Sequence, residues 1–435
     1  MEIIINPKRE QWGDLTKRPQ LDTTHLFDTV NAVFDDIKKR GDFAVLDYEE
    51  KFDKVKLNAL PVSETEKTEA ECLVSDDLKK AILEAKANIE KFHKAQKHTE
   101  ITVETTKGVI CRQKAVAIEK VGLYIPGGTA PLFSTVLMLA IPAKIAGCGE
   151  IILCSPPNKE GKINPATLFA ASVAGVDKIF KIGGIQAIAA MALGTESVPQ
   201  VYKIFGPGNQ YVTAAKQFAS IKGVAIDMPA GPSEVEVIAD ETANPVFIAA
   251  DLLSQAEHGV DSQVILVATS KSVAQAVLKE VELQLAALPR RTFAEKALEN
   301  SKIIVFEAES RNLSKNDNDK EIIDFTNLYA PEHLIIETKN YNDIADRITN
   351  AGSVFLGHFT PESAGDYASG TNHTLPTNGH ARAYSGVNLD SFMKKITFQE
   401  ISREGIENLG KTIITLAENE QLIAHRNAVK YRMEQ

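Results

Sequence analysis

The chain has 435 residues, more than one hydrophobic core usually serves, so its length predicts at least two domains that each bury an apolar interior. Hydrophobic residues at 44% and charged residues at 24% exclude a mainly disordered chain. The net charge is −10, and no cluster of Lys and Arg is dense enough for a nucleic-acid binder. We therefore expect a globular protein without a nucleic-acid partner.

The four cysteines, Cys72, Cys111, Cys148 and Cys154, have neither CxxC spacing nor the density of a disulfide scaffold, which favours a reducing cytoplasm. The first residues lack the basic and apolar regions of a signal peptide. The stretch 121–143 is the one candidate membrane span, but its glycines and prolines favour a strand, a turn and a buried helix. We expect a cytoplasmic protein with no membrane contact.

The first 24 residues predict an arm that packs on a larger unit, and residues 25 to about 100 have the apolar spacing of two or three helices. After Val109, short β-branched runs alternate with helical segments, which predicts βαβ units and parallel sheets. So many strands favour two α/β units, with the Gly/Pro-rich segment 228–233 as one crossing point between them. The strand-like runs are Ala115–Tyr124, Glu150–Cys154, Lys178–Ile182, Tyr202–Phe205, Val224–Asp227, Glu234–Ala239, Gln263–Ala268, Lys302–Glu307, His333–Glu337 and Ser353–Leu356.

A long polar stretch separates the last predicted strand from the end of the chain. Residues 357–390 are rich in Gly, Asn and His and predict a loop, and loops of that length are usually functional or disordered. Residues 403–435 predict an amphipathic helical tail.

Gln255 and His258 lie three residues apart near the end of a predicted helix. This spacing places both side chains on one helix face, a common way to present two metal ligands. On the pair alone, a histidine that interacts with the helix dipole beside a solvated glutamine is the simpler interpretation, because glutamine is an unusual zinc ligand.

Glu332 and His333 stand at the entrance to a predicted strand, directly after Pro331. Adjacent strand side chains point to opposite faces, so both serve one site only if the chain bends there, as the proline allows. The histidine suits a general base and the carboxylate suits activation of water. A histidine that caps the strand beside an exposed glutamate is the alternative.

Two further pairs of polar residues are candidates for binding. Asp366 and His373 lie in the long loop, where they suit ligand or substrate binding, although Asp and its neighbours also form plain turns. Glu420 and His425 lie on the terminal helix, where surface residues without a function are the simpler interpretation.

Three glycine-bearing turns each follow a predicted strand and open a helix: Tyr124–Thr129, Ile182–Gln186 and Phe205–Asn209. The carboxyl ends of strands in an open α/β sheet are where ligands bind, and helix N-termini accept pyrophosphate. Tight turns alone explain the glycines as well, and the chain has neither GxGxxG nor a Walker sequence. The residues alone indicate a two-lobed α/β protein that uses a nucleotide or a metal.

Taken together, these segments resemble the histidinol dehydrogenase family. The resemblance runs from about 110 to 425 in the family's order, and the first hundred residues match loosely. The segments that carry it are Gly122–Gly128, Phe205–Asn209, Ile226–Glu234, Ser254–Gly259, Ala330–Leu334 and Gly365–Pro376.

The resemblance implies an α/β homodimer with shared active sites, built from two incomplete Rossmann-like parallel-sheet domains, a small N-terminal arm and a C-terminal helical tail that reaches the partner subunit. The implied divisions are an arm (1–24), the first part of the large domain with N-terminal helices (25–128), the second domain (129–233), the remainder of the large domain (234–386) and the tail (387–435).

The same resemblance implies oxidation of L-histidinol through L-histidinaldehyde to L-histidine, in histidine biosynthesis, with two NAD and one Zn²⁺ per subunit. It makes Glu332 and His333 the acid/base pair and leaves the cysteines without a catalytic role. The implied zinc ligands are Gln255, His258, Asp366 and His425, the last from the other subunit. The implied NAD contacts are Tyr124, Gln186 and Asn209. The implied substrate contacts are Ser233, His373 and Glu420, together with the zinc ligands and His333.

Two other classes of protein fit the same residues. A zinc-dependent hydrolase of a small substrate also needs imidazole and carboxylate ligands with a Glu/His base, but it leaves the glycine turns without a purpose. A non-catalytic two-lobed binding protein does not need Glu332 or His333.

Overall fold

The computed structural model describes residues 1–19, 26–127, 131–229 and 231–434. Within these ranges the strands form two parallel sheets and one small antiparallel sheet. The strands are β1 (Glu2–Ile5), β2 (Ile101–Thr106), β3 (Val109–Ala117), β4 (Lys120–Tyr124), β5 (Glu150–Ser155), β6 (Lys178–Lys181), β7 (Lys203–Phe205), β8 (Ala225–Ile226), β9 (Glu234–Ala239), β10 (Gln263–Ala268), β11 (Lys302–Val305), β12 (His333–Glu337), β13 (Ser353–Leu356) and β14 (Met393–Ile401).

Helices separate most of the strands, and a π-helical turn at Glu49–Asp53 extends the third of them. The helices are α1 (Trp12–Leu15), α2 (Phe27–Arg40), α3 (Asp42–Tyr48), α4 (Glu64–Leu73), α5 (Asp76–Lys94), α6 (Phe133–Ala146), α7 (Pro165–Ala174), α8 (Gly184–Leu193), α9 (Gln210–Ile221), α10 (Pro245–Ala256), α11 (Lys271–Ala287), α12 (Arg291–Glu299), α13 (Lys315–Tyr329), α14 (Tyr341–Ala345), α15 (Glu362–Tyr367), α16 (Arg403–Asn419) and α17 (Ile423–Met433).

The larger parallel sheet has the order β1-β11-β10-β9-β12-β13. Helices α10, α11 and α12 cover one face with an aliphatic core. The other face packs on α13 and α14, with Trp12 of the N-terminal arm edge-on to Phe306 and Phe325 at 5.8 and 5.6 Å. Every residue of β9, β10 and β12 is buried, as expected of strands covered on both faces.

The smaller parallel sheet has the order β6-β5-β4-β7-β8. Helices α5, α6 and α7 pack on one face, and α2, α8 and α9 on the other. The predicted fold of two parallel-sheet α/β units is therefore confirmed. Four of the predicted strands, β9, β10, β12 and β13, have the predicted bounds.

Some assignments differ from the expectation. The run Ala115–Tyr124 belongs to two strands, because β3 ends at Ala117 and β4 begins at Lys120. Segment 25–128 was expected in the large domain, but β4 pairs with β5 and β7 in the smaller sheet, and α2 packs there too. Gly128 and Thr129 of the first glycine turn, Ala230 of the crossing segment and residues 20–25 lie outside the described residues.

The antiparallel sheet, of order β14-β3-β2, carries the C-terminal tail. Helix α16 packs on β2 and β14, and α17 packs on α16, so the helical tail is confirmed. The stretch 357–390, expected as a loop, contains the short helix α15. Among the described helices, none has the length and apolar character needed to cross a membrane.

Candidate active site

The candidate site lies between the two sheets. It uses the amino ends of β9 and β12, where Glu234 and His333 are the first strand residues. A cavity of about 330 Å³ there is lined by Pro126 and Leu132 from the smaller unit and by residues of α10 and α15 from the larger one. The glycine turns, at the carboxyl ends of β4, β6 and β7, belong to the smaller sheet.

The chain bends sharply before β12, and the bend turns Glu332 and His333 into one buried region. Ala330 ends α13 with φ +54°, in the left-handed region, and Pro331 follows it. Glu332 is 6% exposed and His333 is 3% exposed. The irregular entry that the proline predicted is therefore present, and the interpretation of Glu332 as an exposed residue is wrong.

The hydrogen bonds of His333 define its protonated nitrogen. Nδ1 lies 3.1 Å from the carbonyl oxygen of Glu234, which only accepts, so Nδ1 carries the proton and donates it. Nε2 lies 3.4 Å from Oδ1 of Asp366 without forming a hydrogen bond. Burial lowers the pKa of His333, but the neighbouring carboxyl groups outweigh burial and hold that pKa well above its ordinary value.

Glu332 is held by the backbone of β9. Its Oε2 accepts from the amide of Glu234 at 2.9 Å and lies 3.7 Å from Nδ1 of His333. Burial raises the pKa of the Glu332 carboxyl to about 8, although His333 lowers it. A buried carboxyl beside an imidazole is an arrangement suited to proton transfer.

His258, Glu362 and Asp366 bring their ligand atoms within 4.8 Å of one another. Oε2 of Glu362 and Oδ1 of Asp366 are buried, and neither has a hydrogen-bond partner among the residues that the structure describes. Unpaired buried carboxylate oxygens beside an imidazole form a donor set that suits a divalent cation such as Zn²⁺. Burial raises the pKa of Glu362 to about 8, whereas His333 lowers the pKa of Asp366 against the effect of burial.

The sequence reasoning missed Glu362. It stands four residues before Asp366 on α15, so both project from one helix face. That spacing was the available signal, but it is visible only once 362–367 is assigned to a helix instead of a loop.

Gln255 is buried between the two carboxyl groups of Glu362 and Glu332. Both polar atoms of its side-chain amide form hydrogen bonds when the nitrogen donates to Oε1 of Glu362 at 2.5 Å and the oxygen accepts from the backbone amide of Glu234 at 3.0 Å. The i, i+3 spacing does bring Gln255 and His258 to the same site. A direct bond from Gln255 to a metal stays a prediction.

The other predicted ligands divide between the site and the surface. Nδ1 of His373 donates to the carbonyl oxygen of Asp366 at 2.8 Å, so its Nε2 accepts from Thr135 of α6 at 3.0 Å. Ser233 is half-buried directly before β9. Glu420 and His425 are exposed on the tail, and no hydrogen bond or ion pair within the described ranges joins their side chains to the cluster. A single chain therefore does not show their predicted role.

The residues predicted to contact NAD lie at the carboxyl edge of the smaller sheet. Tyr124 ends β4, Gln186 lies in the first turn of α8, and Asn209 caps α9 with its Oδ1. Gly206 has φ +128°, and a Cβ there would lie 2.0 Å from the carbonyl oxygen of Tyr124, so only glycine allows this close approach. The close packing holds two of the three turns together.

The cysteines are free thiols outside the candidate site. Burial raises the pKa of Cys148 to about 12 and raises that of Cys154 further. Cys72 is exposed and Cys111 is half-buried on β3. Buried thiols with raised pKa values are poor nucleophiles.

Comparisons with known proteins show relatives that match this chain over nearly its whole length. A family model described as histidinol dehydrogenase matches residues 16–433. Histidinol dehydrogenase of Bacteroides thetaiotaomicron is 64% identical over 433 residues, covering 100% of this chain and 99% of the relative, and that of Shigella sonnei is 53% identical, covering 98% and 95%. The crystal structure of histidinol dehydrogenase from Elizabethkingia anophelis has a TM-score of 0.96 and 56% identity, covering 100% of this chain and 98% of that one. The chain therefore belongs to the histidinol dehydrogenase family.

Proposed function

We propose that the protein oxidises L-histidinol through L-histidinaldehyde to L-histidine with two NAD, as a zinc-dependent enzyme of histidine biosynthesis. The observation that carries this proposal is the cluster of the buried residues Glu332, His333 and Glu362 with the half-buried Asp366 and the exposed His258, in a chain of the histidinol dehydrogenase family. NAD, when bound, would supply the hydride acceptor, and zinc held by the candidate ligands would orient the substrate.

His333 is the base of the first half-reaction. Its Nε2 has no hydrogen-bond partner among the described residues, and it faces the candidate metal ligands, where the substrate hydroxyl would lie. It takes the hydroxyl proton as the C–H bond breaks, and the carbonyl of Glu234 keeps the imidazole in the correct tautomer.

Glu332 acts in the second half-reaction. The aldehyde adds water to form a hydrate, and Glu332 takes the proton from that water before a second hydride leaves the same carbon. The amide of Glu234 orients this carboxyl group. The substrate loses two hydrides in total, which together carry four electrons.

The residues present fit zinc. His258 and Asp366 supply nitrogen and oxygen ligands, and Glu362 lies within reach as a further ligand or as a partner of Gln255. A cation there would also offset the carboxylate charge that raises the pKa of His333, and so favour its neutral, basic form.

A homodimer completes the proposal. His425 lies exposed on α17 and Glu420 lies exposed in the turn between α16 and α17, and the antiparallel sheet of the tail exposes Ile101, Val103 and Phe398. Exposed apolar side chains on a sheet suit an interface. Packing of two chains there would bring the tail of one subunit to the site of the other.

The test is the yield of NADH from limiting L-histidinol with excess NAD, before chelation, after it, and after zinc is restored. About two NADH per histidinol, lost with the chelator and regained with zinc, is the expected result. A zinc-replete protein that forms no NADH would overturn the proposal. A hydrolase or a binding protein would give that result, but neither is favoured, because the family match covers nearly the whole chain.

A further inference from the structure

One charged side chain of the N-terminal arm, Arg18, is buried against the start of β9. Nε and Nη2 of its guanidinium donate to Oε1 and Oε2 of Glu234, the first residue of that strand, at 2.7 and 2.9 Å. The two side chains are 8% and 2% exposed. Because guanidinium is a rigid planar fork, this two-pronged pair fixes both the position and the plane of the Glu234 carboxylate.

The same guanidinium holds the bend that leads into β12. Its Nη2 also donates to the carbonyl oxygens of Tyr329 and Ala330, at 2.6 and 3.3 Å, and Cζ lies 4.0 Å from the centre of the Tyr329 ring. Ala330 has the left-handed backbone, which is strained for a residue with a side chain and persists only where its surroundings hold it. Arg18 therefore ties the start of β9 to the bend before β12.

The backbone of Glu234 contacts both members of the acid/base pair. Its amide donates to Oε2 of Glu332 at 2.9 Å, and its carbonyl oxygen accepts from Nδ1 of His333 at 3.1 Å. The side chain of the same residue is held by Arg18 and by the amide of Asn378, which donates to Oε1 at 2.6 Å. A shift of the Glu234 carboxylate would therefore move the two backbone groups that orient the pair.

We propose that Arg18 is a positioning residue for the acid/base pair of Glu332 and His333. It holds Glu234 and the bend at Ala330, and these hold the pair in the orientations that proton transfer needs. The inference rests on the proposed function, in which the two residues act in successive half-reactions. Because Arg18 supports both, its loss should slow both half-reactions, whereas loss of Glu332 slows mainly the second.

Other contacts anchor the arm without Arg18. Strand β1 pairs with β11, and Trp12 packs in the core of the larger sheet. The carbonyl oxygen of Lys17 accepts from Nε2 of Gln263 at 3.0 Å. We therefore expect variants at Arg18 to fold with the arm in place, so that a kinetic effect reports on the site.

Arg18→Lys is the test variant, because it keeps the charge but a single ammonium cannot replace the fork and also reach the bend. Single-turnover NADH formation would be measured from histidinol and from histidinaldehyde. Both rate constants should fall about 10- to 100-fold, with KM for histidinol within about twofold of the wild type. Lys17→Gln, at the exposed neighbour that pairs with Asp14, is the matched control and should keep wild-type rates.

Loss of stability alone would leave these rate constants unchanged, because a single-turnover rate constant does not depend on how much of the protein is folded. Glu234→Asp is the second variant, since it draws the carboxylate away from Arg18 by one methylene. It should slow both half-reactions as Arg18→Lys does.

NMR of protein labelled with ¹⁵N-histidine gives a measurement that needs no turnover. The proton that Nδ1 of His333 donates to Glu234 should give an N–H signal, assigned by its absence in His333→Gln. We expect Arg18→Lys to shift or lose this signal and Lys17→Gln to keep it.

An unchanged signal in Arg18→Lys would overturn the inference, as would wild-type rates or a loss confined to one half-reaction. If the wild type forms no NADH from histidinol, the proposed function fails, while the NMR comparison still shows whether Arg18 orients His333.

Discussion

Nε2 of His333 lies 3.4 Å from Oδ1 of Asp366, and neither atom has a hydrogen-bond partner within the described structure. A base and a metal-ligand candidate thus face the same small volume from β12 and α15. The fold leaves both buried polar atoms without a hydrogen bond, which costs stability until a ligand binds between them.

Substitutions of the two acid/base residues, His333 and Glu332, should impair different half-reactions. His333→Ala should reduce NADH formation from histidinol by about 10²- to 10⁴-fold, because the hydroxyl proton loses its acceptor. Glu332→Ala should reduce oxidation of histidinaldehyde more than oxidation of histidinol. Single-turnover measurements with each substrate check this, and equal losses in the alcohol step would contradict the assigned roles.

Glu362 should control retention of the metal. Glu362→Gln removes a carboxylate from the cluster and disturbs the amide of Gln255, so zinc affinity should fall about 10- to 100-fold. Competition with a coloured chelator measures it. Glu404→Gln, at an exposed carboxylate on α16, should retain the wild-type affinity. Unchanged affinity in Glu362→Gln would show that Glu362 neither binds the metal nor orients its ligands.

The thiols should not take part in catalysis. Iodoacetamide should modify the exposed Cys72 of the native protein and leave NADH yield unchanged, because Cys148 and Cys154 are buried with raised pKa values. Mass spectrometry identifies the modified cysteine. Loss of activity that tracks alkylation of any one cysteine would support a thiol nucleophile instead.

A buried ion pair supports the glycine turn after β7. Nζ of Lys216 lies 2.5 Å from Oδ1 of Asp227 and donates to the carbonyl of Gly206 at 2.8 Å. Lys216→Met should reduce the free energy of unfolding by about 3 to 5 kcal/mol, because the buried carboxylate of Asp227 keeps its backbone hydrogen bonds but loses its positively charged partner. Urea unfolding measures it. Adding Asp227→Asn should recover part of the loss, and a strictly additive double variant would argue against direct coupling.

Glu236 should make the protein less stable at alkaline pH. This residue of β9 is fully buried, accepts a hydrogen bond from Thr326, and has its pKa raised by burial to about 8. Since the ordinary pKa is 4.5, the folded protein keeps a proton that the unfolded chain has released, so stability falls as pH rises from about 4.5 to about 8.

Glu236→Gln should remove this pH dependence, which for one group amounts to about 1.4 kcal/mol per pH unit at most. The free energy of unfolding of the variant should therefore rise relative to the wild type between about pH 5 and about pH 8. A constant difference across this range would mean that Glu236 is ionised in the folded protein.

Most of the parallel sheets could be predicted from sequence, because strands buried on both faces are continuous apolar runs, as in Gln263–Ala268. Strands β1, β2 and β14 were missed. Strand β2 is largely exposed, β14 is exposed along nearly all its length, and β1 is short, so their side chains carry little burial pattern.

Some residues of the site could likewise be predicted from the sequence, and others could not. Gln255 and His258 could be paired from helical spacing alone, whereas Glu362 could not, because α15 has only six residues within a polar stretch. Arg18 lies far from Glu234 in sequence and reaches it through tertiary packing. Their ion pair had no local signal.

The path of the chain between the two sheets has a consequence for synthesis. Strand β1 is synthesised before the other described strands, but it pairs with β11, where Lys302 lies opposite Glu2. The last strand of the smaller sheet ends at Ile226, well before β11. During translation the smaller sheet can therefore close while the first strand remains without its neighbour. The larger sheet gains its edge only after two thirds of the polypeptide has left the ribosome, so the amino-terminal segment stays an unpaired strand for most of that time.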